Sequence, residues 1–203
     1  MKLYYAPGAC SLADHIVLEW IGAPYEAVRL SHADMKAPDF LRINPAGAVP
    51  ALEDDGWVLT QNSAILNYLA DLHPDAGLAG DGSAKSRAEV NKWLAFLNSD
   101  LHPTFKPLFG ATAYLEDTAV VEQTKLDART RLRGLFERAD SQLATQDWLS
   151  GSRSIADPYL YVVLRWARTA GVDLAGLDNL QRFSARMEAD PGVQRVLADE
   201  GLS

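Results

Sequence analysis

The stretch that decides the fold is residues 2–22, KLYYAPGACSLADHIVLEWIG. Lys2 to Tyr5 is too short for a helix and is stopped by the Pro7-Gly8 turn, after which Leu12, Ile16 and Trp20 recur at a helical interval. The pattern predicts strand, turn, helix. Ser11, followed three residues later by Asp14, predicts a capping box, and Gly22-Ala23-Pro24 ends the helix. Cys10, the single cysteine, falls at the junction of turn and helix. A thiol there stands at the positive end of a helix beside unpaired N–H groups. That placement lowers a thiol pKa and makes it a nucleophile or a hydrogen-bond donor to a bound thiolate. The alternative is a small buried hydrophobe that follows a turn.

Working outward, YEAVRL reads as a second strand and residues 33–42 as a short helix. The NPAG turn leads into a strand at Val49-Pro50-Ala51-Leu52, and Asp54-Asp55-Gly56 separates it from WVLT, which predicts a hairpin of two antiparallel edge strands. Ala64, Ile65, Tyr68, Leu69 and Leu72 place apolar residues on one side of a third helix that stops near His73-Pro74. The alternation predicts an α/β layer with helices covering a four-stranded sheet. PDAGLAGDGSAK reads as a connection between domains, which divides the chain into residues 1–78 and 84–203. Everything beyond it reads as helix, at 83–109, 118–142, 155–169 and 177–189. Pro103 and Pro107 kink or end the first of these. Ser154 and Asp157 form a capping box ahead of PYLYVVLRWA, a folding role rather than a catalytic one.

Composition narrows the function. With 203 residues, 48% hydrophobic and 23% charged, the chain has the makeup of a globular protein with a sizeable core. A net charge of −8, with no Lys/Arg block, argues against a nucleic-acid partner. One cysteine cannot form an internal disulfide, and MKLYYAPG lacks a secretion signal, so the expected compartment is the reducing cytoplasm. No apolar run reaches membrane-spanning length. His15 and His73 stand apart from other ligand-type residues, and no metal is expected.

Four local patterns coincide: YYAPGACSLADHI, NPAGAVPAL, LTQNSAILNYLA and SIADPYLYVVLRWA. Together they resemble the cytosolic glutathione transferases over essentially the whole chain, and the cysteine after PGA with a serine following is similar to the bacterial beta class. The resemblance implies a thioredoxin-like N-terminal domain, an all-helical C-terminal domain contributing the electrophile site, a homodimer, and reduced glutathione as co-substrate with no tightly bound cofactor. It places Val49-Pro50 at the family's cis-proline motif, which holds an extended peptide. It places Gln61-Asn62 where relatives carry an acidic residue and a serine that receive the γ-glutamyl end. Gln61 lacks the negative charge, which leaves room for compensation by Asp100 of a neighbouring subunit, and Asn62 serves either as ligand contact or as helix cap. His102 matches the histidine that beta-class enzymes direct toward the cleft, whereas Pro103 departs from a basic residue there and Lys106 lies one turn away.

Tyr5 and Ser11 are additional hydroxyl donors to a thiolate, their alternative roles being strand packing and helix capping. The resemblance further implies an electrophile pocket around Leu101, Phe105, Phe109, Ala113 and Trp166. The expected activity is conjugation of glutathione to small apolar electrophiles in detoxification, with thiol transfer through Cys10 alongside it. The alternatives are a non-catalytic binding or interaction protein on the same fold, and a glutathione-dependent dehalogenase or isomerase.

Overall fold

The computed structural model describes residues 1–203. The N-terminal part runs β1 (Lys2–Tyr5), α1 (Ser11–Ile21), β2 (Glu26–Arg29), α2 (Pro38–Ile43), β3 (Ala51–Asp54), β4 (Trp57–Thr60) and α3 (Asn62–Leu72). The four strands lie in the order β2-β1-β3-β4, with β1 parallel to β2 and antiparallel to β3, and with β3 and β4 antiparallel. Leu3 sits between Ala27 and Leu52 in this register, so its side chain enters the centre of the core. The hairpin forms as expected, but only β4 of its two strands is an edge. β1 pairs with β3 and makes that strand internal.

Two local expectations fail for identifiable reasons. The helix expected over 33–42 breaks at Ala37, which the following Pro38 holds in extended backbone (φ −71°, ψ 147°). A short 3₁₀ turn at Asp34–Lys36 and the six-residue α2 are what remain. The capping box at the start of α1 does not form either. Cys10 is already helical (φ −59°, ψ −25°), Ser11 Oγ bonds both the N–H and the carbonyl of Ala6, and Asp14 is fully buried.

The helical part comprises α4 (Ala84–Phe96), a π turn (Leu97–Leu101), α5 (His102–Thr104), α6 (Thr118–Gln142), α7 (Ala156–Thr169), α8 (Asp178–Ala189) and α9 (Pro191–Glu200). The helix expected to reach residue 109 ends at Thr104, and turns follow through Tyr114. α9 was not anticipated. It is started by Asp190, whose carboxylate accepts from Gly192 N and Val193 N, with Pro191 at the first helical position. The same carboxylate accepts from Trp20 Nε1 (3.0 Å), which ties α9 to α1.

α1 is buried on nearly every side from Ser11 to Leu18 because it packs against α3, α7 and α9 as well as β1. A single apolar cluster extends from Leu3 through the helical part to Leu197, so the two domains share one core. Tyr4, Phe40 and Ala51 make a smaller cluster on the opposite side of the sheet, under α2.

Candidate active site

The turn that carries Cys10 is held from outside its own domain. Gly8 N–H donates to Glu200 Oε2 of α9 (2.8 Å), and Gly8 carbonyl accepts from Trp166 Nε1 of α7 (2.7 Å). Gly8 adopts φ +70°, a conformation open to glycine that brings this peptide between the two helices. Opposite it, the Val49-Pro50 bond is cis, and the Cys10 thiol donates to the Val49 carbonyl (3.6 Å). Val49 N–H has no partner within the chain.

Two cavities meet at this point. One, of about 300 Å³, is polar and lies between Val49-Pro50, Gln61-Asn62 and the helical domain. The other, of about 450 Å³, is walled by the Pro7–Ala9 turn, Phe109 and Trp166. Cys10 and His102 line both. The Asn62 and Ser63 N–H groups at the start of α3 are unpaired, as the first turn of a helix requires, and they favour an anion. Gln61, just before them, stands at φ +76°, a backbone strain of about 1–3 kcal/mol of the kind that gathers at ligand sites.

The electrostatics work against the expected thiolate. Burial pushes the Cys10 thiol up to about 12, with the neighbouring Asp14 adding to the shift, and the N–H groups of Cys10 and Ser11 do not offset it. Cys10 is therefore a thiol at neutral pH and a hydrogen-bond donor. Burial likewise raises Asp14 well above its ordinary value. With its nitrogen turned toward acceptors, the Asn62 amide donates to Asp14 Oδ2 (2.6 Å) and Cys10 carbonyl (3.2 Å). This side chain thus braces α3 against α1 instead of capping its own helix. His102 is held below its ordinary value by burial first and by Lys106 second, so it is a neutral imidazole near pH 7. Its Nδ1 lies 2.6 Å from the Tyr159 hydroxyl.

Of the residues singled out from the sequence, Cys10, Val49, Pro50, Gln61, Asn62 and His102 converge on the polar cavity. Phe109 and Trp166 line the aromatic one, whereas Leu101 and Phe105 are completely buried beneath it and Ala113 lies exposed in a turn. Phe105 supports the wall by stacking on Phe109 (5.6 Å between ring centres). Ser11 is spent on Ala6, and Tyr5 packs on His15, so neither hydroxyl reaches the cavity. Lys106 is exposed and acts on His102 only through its charge. Asp100 faces a separate groove of about 440 Å³ between α5 and α6.

Asp157 accepts from Ser154 N (2.8 Å), Ser154 Oγ (2.9 Å) and Leu149 N (3.0 Å) inside the core and lines neither cavity. Tyr159, Asn98 and Asn44, which also line the polar cavity, were missed. Asn44 had a signal in the NPAG turn, where its side chain bonds Ala46 N and Ala48 carbonyl. No group of three or more His, Cys, Asp or Glu side chains is placed to hold a metal ion, and no helix is long and apolar enough to cross a membrane.

A thioredoxin-like domain joined to a helical domain, with a thiol and an imidazole at the seam between a polar and an aromatic cavity, defines a class of thiol-handling two-domain proteins. Residues 1–71 match the family model for the glutathione S-transferase N-terminal domain and residues 84–191 that for the C-terminal domain. The chain is 59% identical to glutathione S-transferase GST-4.5 of Xanthomonas campestris pv. campestris, over 100% of both. The glutathione S-transferase structure from Xylella fastidiosa superposes with a TM-score of 0.98 at 56% identity, covering 100% of this chain and 99% of that one. Two sphingomonad structures, one a bacterial beta-class enzyme from Sphingomonas chungbukensis and one complexed with glutathione, each give a TM-score of 0.88 at 39% identity over 100% of both chains. The chain belongs to the cytosolic glutathione S-transferase family and is closely related to its bacterial beta class.

Proposed function

We propose that this protein conjugates reduced glutathione to small apolar, preferably aromatic, electrophiles. One observation carries the reading: Cys10 and His102 line both cavities, so a thiol seated in the polar one points its sulfur at whatever occupies the aromatic one. The tripeptide lies extended along Val49, whose free N–H pairs with its backbone, and its γ-glutamyl carboxylate takes the N–H groups at the start of α3. Gln61 offers the ligand ammonium a neutral carbonyl in place of an anion, which makes affinity modest. The related sphingomonad protein solved with glutathione supports the assignment of the ligand.

Catalysis follows from charge and position. Glutathione must react as its thiolate, and two neutral donors, the Cys10 S–H on turning from the Val49 carbonyl to the bound sulfur and the His102 N–H, stabilise that anion without being consumed. The aromatic wall of Phe109 and Trp166 holds the electrophile within reach, converting an encounter of two solutes into a reaction within one complex. The raised thiol pKa favours this donor role for Cys10 over covalent thiol exchange. The protein works as a homodimer in the cytoplasm, with residues 1–78 as the glutathione domain and 84–203 as the electrophile domain. The test is turnover of an activated aromatic chloride with glutathione, followed by halide release. Conjugation by the wild type and a fall in kcat of about 100-fold, still measurable, in His102→Ala are expected, and a wild type that does not turn over contradicts the reading.

A further inference from the structure

We propose that Tyr159 is a positioning residue that fixes the tautomer of His102, so that the imidazole presents Nε2–H to the seam between the two cavities. The inference deepens the function proposed above and rests on it for the identity of the acceptor, the sulfur of bound glutathione. Its basis is local geometry. The α-helical ladder of α4 gives way to a π turn at Leu97–Leu101, immediately before His102, an irregularity that gathers at functional sites. Asn98, inside that turn, and His102, just after it, both reach the hydroxyl of Tyr159 on α7. Tyr159 is buried at the wall of the polar cavity, and its hydroxyl has acceptors of the protein beside it.

The Asn62 amide also lies against the hydroxyl, and the three neighbours are not equivalent, His102 making the short contact. His102 Nδ1 is 2.6 Å from the hydroxyl, whereas Asn98 Oδ1 is 3.4 Å away, beyond the usual range of an O–H···O bond. The phenol therefore donates to Nδ1, and the ring proton of the neutral imidazole is left on Nε2. Nε2 has no partner within the chain, and with Nδ1 turned to the buried phenol the opposite edge of the ring faces the cavities. Burial keeps Tyr159 a phenol and His102 neutral, so the arrangement holds at neutral pH. The edge of the ring against Trp166 (4.7 Å between centres) keeps the imidazole from turning over.

The test is the nitrogen spectrum of His102 in ¹⁵N-histidine-labelled protein without glutathione. An unprotonated Nδ1 and a protonated Nε2 are expected, and a protonated Nδ1 overturns the proposal whether or not the protein binds glutathione. A double-mutant cycle adds the functional readout: Tyr159→Phe should lower kcat by about 5–10-fold with KM for glutathione unchanged. In a His102→Ala background the same change should have no further effect. An equal loss in both backgrounds makes Tyr159 merely structural. If Tyr159→Phe fails to fold, the wild-type spectrum alone decides. A wild type with the expected tautomer and no turnover refutes the proposed function while leaving the tautomer assignment in place.

Discussion

His15 and Glu200 lie 185 positions apart in sequence and 2.9 Å apart in space, Nδ1 to Oε1, with both side chains out of solvent. The other oxygen of Glu200 holds Gly8 N–H, so the last residue of α9 anchors the active-site turn to α1. A helix at the far end of the chain thereby sets the position of the Cys10 thiol.

Removing that carboxylate strands two buried groups at once. Glu200→Ala should lose about 3–5 kcal/mol of stability, as expected when one partner of a buried pair is deleted. It should also raise KM for glutathione as the Pro7-Gly8 turn loosens. Glu200→Gln keeps an oxygen for Gly8 N–H and should lose much less. Urea unfolding of the three proteins checks this, and equal stabilities would contradict it.

Cys10, with its thiol pushed up to about 12, should react slowly with iodoacetamide at neutral pH. The rate should climb about tenfold per pH unit up to about pH 10, without a plateau. A plateau below about pH 8 would mean that the helix start wins over burial after all. Because the thiol donates rather than attacks, Cys10→Ala should retain conjugation with a loss of about tenfold or less.

His102 must be neutral to keep the arrangement of its ring, and its pKa lies below the ordinary 6.5. Protonation as pH falls through that lowered value should give conjugation an acid limb. Lys106 disfavours the imidazolium by its positive charge, so Lys106→Met should raise the pKa of His102 and move the limb to higher pH. Since Lys106 is exposed, high salt should produce the same shift in the wild type. A pH–rate profile that moves to lower pH in the variant would be the wrong sign.

Asp157 accepts three hydrogen bonds in the core between α7 and the Leu149–Ser154 loop. Asp157→Ala would leave Leu149 N and Ser154 N unpaired, a loss of about 2–4 kcal/mol from the cap and the orphaned donors together. KM for glutathione in the folded fraction should stay unchanged, since no cavity residue is touched. A normal midpoint in thermal unfolding would show that the loop re-pairs.

The sequence and the structure agree where the signal is periodic or tied to a turn. The α1 stripe, the Asp54-Asp55-Gly56 hairpin and the bounds of α6 all follow from spacing that one element determines by itself. What could not be read depends on distant contacts. Burial of Asp14 and Cys10 by α3 and α7 opposes the lowering of the thiol pKa that the helix start alone implies. Tyr159 sits on the apolar stripe of α7 like any core aromatic, and only the π turn beside it gives its hydroxyl a task. α9 lay beyond the last helix expected, at 177–189, and the task of Glu200 at its end could not be read because its partners, Gly8 and His15, lie at the other end of the chain.

The central claim is that the polar cavity beside Cys10 holds glutathione, and calorimetric titration of freshly reduced protein with reduced glutathione tests it most directly. Saturable binding, one ligand per chain, with a dissociation constant of about 1 mM or below is the predicted result. No heat of binding up to about 10 mM would contradict it and leave the fold with another occupant at the seam of its two domains.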